Sequence, residues 1–276
     1  MLPHDALWPR AGDWPAPTGG SDATLVGIPT HLNSLSPTQA HLTPAAVREA
    51  LRRYSFESRL VVSDAGDARD PDTVDAVAFI AAIDARLVIA IGGDNSATVP
   101  VARGRKVQGL VTVDAHHDLR DGSSNGSPVR QLVEAGIAGT RIVQVGIEPF
   151  ANSLAYAKRA ADLGITVITR DELRRRPIAD VMAEAIEIAG AGGGAVHVDL
   201  DVDVCDRSVA PACPASVPGG LAAIELRTAA RVAGSHAAVS SIDLTEVDAS
   251  ADAPDGQTIR LVALCVLEAL AGLASR

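Results

Sequence analysis

Eight short apolar segments punctuate the chain, and each is followed by a stretch with helical character. They run almost uninterrupted in Val, Ile, Leu and Ala and do not alternate strictly between apolar and polar residues. Such runs are typical of parallel strands buried on both faces. The pattern predicts an α/β protein, a single-domain three-layer α-β-α sandwich with an eight-stranded, mainly parallel sheet. The predicted strands are 24–29, 60–64, 87–94, 109–115, 141–147, 165–169, 194–202 and 238–247.

The segments between the strands predict the helices of the two outer layers. The first begins at Pro44, with Thr43 as its N-cap, because proline suits the first turn of a helix. The others are predicted at 70–84, from about Ser96, at 127–136, at 152–164, near 171–189, at 220–234 and at 258–274. No linker-like shift in composition interrupts them. We therefore expect one domain over residues 23–276, preceded by an irregular segment, 1–22.

Composition excludes several classes of protein. The net charge is −10, which argues against a general nucleic-acid binder. The three cysteines form no CxxC pattern, which suits a reducing compartment. No apolar run approaches the roughly 18 residues of a membrane span. The N-terminus lacks a basic segment followed by an apolar one. The expected location is the cytoplasm, with neither nucleic acid nor membrane as a partner.

The segment VTVDAHHD, residues 111–118, ends one predicted strand in possible metal ligands. Alternate side chains of an extended segment share a side, so Asp114, His116 and Asp118 face one way and His117 the other. Two carboxylates and an imidazole form a donor set suited to a hard divalent cation. The alternative is an exposed polar loop. In open parallel sheets, sites lie beyond the carboxyl ends of the strands.

Three further polar clusters end other strands. The segment HVDLDVD contains three aspartates at alternate positions, and buried carboxylates without partners cost several kcal/mol each. A divalent cation is their natural partner, and a ladder of Asp–Arg pairs is the alternative, although Arg207 is one of few basic residues nearby. In GGDNS, Asp94 or Ser96 could simply cap the next helix. In isolation, DLTE at 243–246 is typical of an exposed loop.

In this order and spacing, VTVDAHHD, VDLDVDVCDRSVAPACPASVPGG and SIDLTEVD resemble the ureohydrolase family of arginase, agmatinase and formimidoylglutamase. The resemblance runs from about Leu25 to the C-terminus. It implies an arginase-like fold, a paired Mn²⁺ site and hydrolysis of an amidine or guanidinium carbon–nitrogen bond. It further implies that Asp114 and Asp199 bridge the two metals. His116 and Asp201 would complete one site, and Asp118 would belong to the other.

The resemblance also assigns roles around the metals, and the sequence departs from the family at one of them. Glu246 would bind the cationic amidine or guanidinium, and Asp243 would accept a hydrogen bond from a ligand histidine. The family's usual GGDHS has its ligand histidine where this chain has Asn95. An amide oxygen can coordinate, but more weakly than imidazole. His197 is interpreted either as a partial replacement or as a packed, supporting histidine.

The loop beyond the metal motif favours one branch of the family. SSNGSPVRQL and DAHHDLR resemble formimidoylglutamase segments more than those of arginase or agmatinase. Formimidoylglutamate has two carboxylates, so an acidic enzyme needs local arginines to bind it. Arg120 and Arg130 are the candidates, with ordinary surface positions as the alternative. Asn125 and Ser127 are further predicted substrate contacts.

The resemblance therefore implies a Mn²⁺-dependent formimidoylglutamase of histidine degradation. It would convert N-formimidoyl-L-glutamate and water to L-glutamate and formamide, with Asp118 and Glu246 as catalytic residues and a homo-oligomeric assembly. The first alternative is an agmatinase-type or guanidinobutyrase-type enzyme that releases urea. The second, motivated by Asn95, is a metal-poor and catalytically silent homologue.

Overall fold

The computed structural model of the chain describes residue 5 and residues 7–276, and its eight strands form a single sheet. The strand order is β2-β1-β3-β8-β7-β4-β5-β6, and every pairing between these strands is parallel. The strands are Ser21–Ile28 (β1), Val62–Asp67 (β2), Ala85–Gly92 (β3), Gly109–Val113 (β4), Ile142–Ile147 (β5), Thr166–Thr169 (β6), Val196–Asp201 (β7) and Val239–Thr245 (β8). The predicted fold class is confirmed.

Helices cover both faces of the sheet. The α-helices are Thr43–Leu51 (α1), Val77–Ala81 (α2), Thr98–Gly104 (α3), Pro128–Glu134 (α4), Leu154–Leu163 (α5), Ile178–Gly190 (α6), Ala223–Ser235 (α7) and Gln257–Leu273 (α8). Helices α1, α6, α7 and α8 share one apolar core with the sheet, and α2 to α5 pack on the other side. Neighbouring strand residues such as Ile89 and Ala90 enter opposite cores, which explains why the strands are continuously apolar.

Two helix predictions were wrong in detail. The helix expected at 70–84 is limited to Val77–Ala81, because Asp70 adopts a left-handed conformation (φ 46°) and is followed by Pro71. Thr43 is not an N-cap but the first residue of α1, and its hydroxyl donates to the Val247 carbonyl (2.5 Å). That hydrogen bond ties α1 to the segment after β8 and contributes to tertiary packing.

The domain limits expected from sequence, an irregular segment 1–22 and a domain 23–276, stay a prediction. Residues 1–4 and 6 lie outside the described part of the chain, and β1 already begins at Ser21. The second strand starts at Val62, later than expected. Within residue 5 and residues 7–276, no helix is both long enough and apolar enough to cross a bilayer.

The four central strands, in the order β3-β8-β7-β4, bring the polar clusters to one edge of the sheet. Thr112 of β4 pairs with Asp199 of β7, which pairs in turn with Asp243 of β8. These three residues are therefore at one level of the sheet. Asp201 is two residues nearer the carboxyl end, and Asp114 directly follows β4. The sheet register thus gives two polar levels. Thr112, Asp199 and Asp243 form the deep level, and Asp114 and Asp201 lie at the carboxyl edge of the sheet.

Candidate metal centre and substrate cavity

The cluster at the carboxyl edge is built from the ends of β4 and β7. Strand β7 ends at Asp201, and the 3-10 turn Val202–Val204 then brings Asp203 back toward the segment after β4. Asp201 fixes that turn, because its carboxylate accepts a hydrogen bond from the Asp203 amide (2.9 Å). Two groups have potential ligand atoms within 4.8 Å of one another: Asp114, His116 and Asp203, and Asp114, Asp118 and Asp201.

The expected facing of VTVDAHHD agrees with the structure. Asp114, His116 and Asp118 lie in the cluster, and His117 belongs to neither ligand group and turns instead to Gln144. The His117 ring nitrogen Nδ1 is 2.7 Å from Gln144 Oε1. Asp114 has a place in both groups, as a bridging role requires.

The structure differs from the sequence-based ligand set at Asp199. Asp199 is completely buried one level deeper, beside Asp243 and within 3.4 Å of the Thr245 hydroxyl. Asp203, which was given no ligand role, has its carboxylate 3.1 Å from His116 Nδ1. Asp201 groups with Asp118 and not with His116. The potential ligands at and just after the end of β7 are thus Asp201 and Asp203, whereas the sequence predicted Asp199 and Asp201.

The chemistry of the cluster fits a divalent cation. Asp114 Oδ2 and Asp203 Oδ1 are buried without a hydrogen-bond partner. Burial, followed by the charge of Asp203, raises the pKa of Asp114 to about 6 and raises that of Asp201 well above its usual range. Burial and the charge of Asp114 do the same for Asp118. Carboxylates forced together in this way need protons or a cation, and their oxygens suit Mn²⁺ or a similar metal.

His116 is the one imidazole among these carboxylates. Burial opposes its charged form, but the neighbouring Asp203 outweighs burial and raises the pKa of His116 to about 12. The pKa of Asp203 is lowered in turn: burial acts to raise it, and the charge of His116 prevails. A histidine that ligates a metal is neutral, so a cation bound here would replace the proton of His116 and balance the carboxylates in its place.

Asn95 occupies the place where the family resemblance predicts a histidine. Its amide Nδ2 donates to Asp118 Oδ2 (2.7 Å). Its Oδ1 accepts from the Thr98 hydroxyl (2.6 Å) and lies 3.1 Å from the Thr245 hydroxyl. In this arrangement Asn95 orients Asp118, and its oxygen points away from the carboxylates. Asp94 caps the 3-10 turn that follows by accepting from the Ser96 amide (3.1 Å).

His197 and Asp243 belong to the deep level, away from the cluster. His197 Nε2 lies 3.2 Å from Asp243 Oδ2, and its Nδ1 lies 2.9 Å from the Ser241 hydroxyl. Both residues are completely buried. Asp243 therefore faces His197 and not His116, so the expected contact with a ligand histidine is absent. His197 has the packed, supporting position that was its alternative interpretation.

A cavity of about 590 Å³ opens beside the cluster. Its walls include Asp118, Asp201, Asp203, His116 and Glu246. Asp118 and Glu246 both adopt left-handed backbone conformations, with φ of 51° and 61°. Non-glycine residues rarely do so, and such strain concentrates at functional sites.

Glu246 is held at the cavity by two hydrogen bonds to one oxygen. Its Oε1 accepts from the Asn95 amide (2.7 Å) and from Asn125 Nδ2 (2.6 Å). The Glu246 amide donates to the Gly93 carbonyl (2.9 Å), and Gly93 itself packs so closely on Thr30 that a Cβ would lie 1.9 Å from the Thr30 carbonyl oxygen. Burial, followed by the charge of Asp203, raises the pKa of Glu246 to about 8. A cation in the cavity would favour its ionised form.

The other predicted substrate contacts are only partly brought together. Asn125 and Arg120 line the cavity. Ser127 does not, because its hydroxyl donates to the Ser124 carbonyl within the loop (2.8 Å). Arg130 does not either: its guanidinium donates to the carbonyl oxygens of Arg120 and Gly122 and to Glu134. Both residues stabilise the loop that presents Arg120 and Asn125.

Tyr156 and Arg159 line the cavity and were not anticipated. They lie three residues apart on α5, at a spacing that places two side chains on the same face of a helix. That spacing alone does not distinguish a cavity wall from ordinary surface. Only the packing of α5 against the segment after β4 brings them to the site.

The central strands of this parallel α/β sheet end in a buried carboxylate–imidazole cluster, and the cavity beside it holds a buried glutamate. Together these features define a metal-assisted hydrolase. A sequence model of the arginase family matches residues 21–272. The chain belongs to the arginase family, and it is a hydrolase of that family.

Individual relatives agree with this assignment. Formimidoylglutamase of Halalkalibacterium halodurans is 32% identical over 90% of this chain and 86% of that protein. The crystal structure of formimidoylglutamase from Bacillus subtilis superimposes with a TM-score of 0.89 at 29% identity, covering 99% of this chain and 94% of that one. Trypanosoma cruzi formiminoglutamase with Mn²⁺ shares the fold, with a TM-score of 0.86 at 23% identity over 97% and 99% of the two chains.

The raised pKa values predict that the metal-free protein loses stability as pH rises. The folded protein retains a proton on Glu246 up to a pKa of about 8, whereas the unfolded chain loses it near 4.5. Between these values the unfolded state binds fewer protons, so rising pH favours unfolding. We expect the free energy of unfolding in EDTA, measured with urea, to be about 1–3 kcal/mol lower at pH 8 than at pH 5.5. Mn²⁺ should reduce this difference, and equal stability at both pH values would contradict the expectation.

Proposed function

We propose that this protein is a formimidoylglutamase, which hydrolyses N-formimidoyl-L-glutamate to L-glutamate and formamide. The observation that supports it most directly is the cavity itself. A buried glutamate and a metal-binding cluster are at its inner end, and arginines line its wall. This arrangement complements a substrate with one cationic amidine and two carboxylates. The names of the relatives at 32% and 29% identity agree with the proposal.

The metal would be Mn²⁺, held by the five residues of the two ligand groups. These are Asp114, His116, Asp118, Asp201 and Asp203. A bound divalent cation lowers the pKa of water and so supplies hydroxide at neutral pH. Two ions are proposed, one for each ligand group, and Asp114 belongs to both groups. Asn95 Oδ1 would become a ligand only if its amide turned over from its present contacts with Thr98 and Thr245.

Glu246 would hold the amidine. Its Oε1 is engaged by Asn95 and Asn125, and no residue in the described part of the chain bonds its Oε2. That oxygen is available to an amidinium N–H, and ionised Glu246 would balance the positive charge on the formimino carbon. The carboxylate–amidinium pair also orients the carbon toward the metal cluster.

Asp118 would handle the proton. It lines the cavity, and Asn95 holds its Oδ2. Water adds to the formimino carbon, and the bond from that carbon to the glutamate nitrogen then breaks. Both protons of the water pass to this nitrogen, the first of them through Asp118, so L-glutamate leaves with a protonated amine that carries the charge of the amidinium. The other product is formamide, so atoms and charge balance.

Direct assay distinguishes the proposal from its alternatives. With Mn²⁺, we expect turnover of N-formimidoyl-L-glutamate at a kcat/KM at least about 100-fold above that for agmatine or guanidinobutyrate, because each mispaired charge costs at least about 1.4 kcal/mol. EDTA should abolish activity and Mn²⁺ should restore it. Urea release from a guanidino compound, with no formamide from formimidoylglutamate, would refute this substrate. Inactivity on all amidines, with less than one Mn²⁺ per chain, would support the silent-homologue alternative.

The proposal extends to location and assembly. Cys205, Cys213 and Cys265 are all free and buried, which suits the reducing cytoplasm. A homo-oligomer is proposed because Phe150 and Leu154 are 99% and 91% exposed next to an apolar groove. Light scattering during size-exclusion chromatography would measure the assembly.

A further inference from the structure

Two arginines and a tyrosine form a cationic wall at the cavity. The Arg120 and Arg159 guanidinium carbons lie 6.0 and 5.7 Å from the centre of the Tyr156 ring. Both distances suit a cation–π contact, which fixes a guanidinium without occupying its N–H groups. All three residues line the cavity that holds Glu246.

The donors of both guanidiniums are largely free. Within the described residues, the Arg120 guanidinium contacts the Tyr156 ring and forms no hydrogen bond. Arg159 uses only Nη1, which donates to the Leu119 carbonyl (2.6 Å) and to Asp121 Oδ1 (2.8 Å). Its Nε and Nη2 form no hydrogen bond with the described part of the chain. Free, oriented N–H groups in a cavity suit carboxylates.

The two arginines differ in their connection to Glu246. The Arg120 side chain packs across Gly126, where a Cβ would lie 2.7 Å from Arg120 Cδ. Gly126 directly follows Asn125, which bonds Glu246, so Arg120 is linked to the amidine end of the cavity. Arg159 extends from α5, where it is bonded to the Leu119 carbonyl and to Asp121 and to neither Asn125 nor Glu246. This gives the wall a proximal and a distal cation.

We propose that Arg159 is a specificity-determining residue that binds the γ-carboxylate of the substrate, while Arg120 binds the α-carboxylate and Tyr156 holds both guanidiniums. This assignment rests on the proposed function. The α-carboxylate is attached to the carbon that bears the amidine nitrogen, so it must remain near Glu246. The γ-carboxylate is three carbons further along and reaches the distal cation. The site therefore selects linear amidines of dicarboxylic amino acids.

The test compares two substrates that differ only at the γ position. N-formimidoyl-L-norvaline has a methyl group in place of the γ-carboxylate. For Arg159→Ala, KM for N-formimidoyl-L-glutamate should rise about 10- to 100-fold with kcat within about threefold, the loss expected for a charge-assisted hydrogen bond. The norvaline compound should be unaffected. Arg120→Ala should impair both substrates, and Arg159→Lys should recover part of the lost affinity.

A structural role for Arg159 gives a different result. Arg159 also holds Leu119, next to Asp118, so distortion of the metal segment would impair both substrates equally and would overturn the proposal. Lys158→Ala is the matched control. It removes the same charge from the same helix, and this side chain is 74% exposed and pairs with Asp162. Its kinetics should equal those of the wild type.

Glutarate separates failure of this proposal from failure of the proposed function. Calorimetric binding of glutarate to the Mn²⁺-loaded protein needs no turnover. It should weaken about 10- to 100-fold in Arg159→Ala and remain unchanged in Lys158→Ala. If the wild type hydrolyses no formimidoylglutamate but shows this pattern, the function is wrong and the dicarboxylate site stands. If glutarate does not bind, or binds Arg159→Ala equally well, the site is rejected.

Discussion

Replacing Asp203 with asparagine is expected to lower kcat/KM by at least about 10³-fold and Mn²⁺ affinity by at least about 100-fold. A catalytic metal contributes several kcal/mol to a hydrolysis, and even residues that merely support a ligand cost 10- to 100-fold in affinity. The substitution preserves side-chain size but removes a buried charge 3.1 Å from His116 Nδ1. Metal content by plasma mass spectrometry and Mn²⁺ titration would measure the effect independently of activity.

Asp199→Asn is the matched control, because it makes the same change four residues earlier, on β7 itself. Burial, followed by the charge of Asp243, raises the pKa of Asp199 well above its usual range. Burial thus disfavours the charged carboxylate, and an amide is a neutral substitute of the same size. We expect Mn²⁺ affinity and kcat/KM within about threefold of the wild type. If Asp199→Asn lost much Mn²⁺ affinity and Asp203→Asn lost little, the ligand set predicted from sequence would be correct after all.

Much of the fold followed from sequence because one physical pattern dominates it. A strand buried on both faces must be apolar throughout, so all eight strands were recognisable. Helix limits were less predictable, since they depend on single contacts. The first half of the helix predicted at 70–84 is not helical, because Asp70 adopts a left-handed conformation. Asp72, within that half, instead accepts hydrogen bonds from the backbone of His31 and Leu32 (3.1 Å). No local periodicity contains that information.

The sequence predicted the site only in so far as it showed which strands end in polar residues. Three aspartates at alternate positions were predicted to share one face of a strand, but their spacing cannot tell which of them reach the edge of the sheet. That depends on the register with β4, which puts Asp199 level with Thr112. It also depends on the turn Val202–Val204, which folds Asp203 inward. Arg130 was misjudged for a similar reason, because its carbonyl partners could not be seen from the sequence.

Replacing Glu246 with glutamine is expected to reduce kcat/KM for N-formimidoyl-L-glutamate by about 10³-fold, because losing one partner of a buried charge pair costs about 2–5 kcal/mol. The glutamine keeps the shape and still accepts from the Asn95 amide, so the left-handed backbone at this position (φ 61°) need not move. Steady-state kinetics with Mn²⁺ would measure the loss. It should appear in both KM and kcat, since the pair binds the amidinium and orients it.

Metal binding separates this role from a structural one. Glu246 belongs to neither group of potential ligands, so Glu246→Gln should bind Mn²⁺ within about threefold of the wild type. Asp203→Asn should fail in that assay, and the two variants would thereby divide the cavity into a metal-binding and an amidine-binding part.

Removing Glu246 should also flatten the dependence of metal-free stability on pH, because its raised pKa contributes to that slope. A variant that retained full activity would show that the amidine binds elsewhere in the cavity. Loss of Mn²⁺ with loss of activity would instead make Glu246 part of the metal centre.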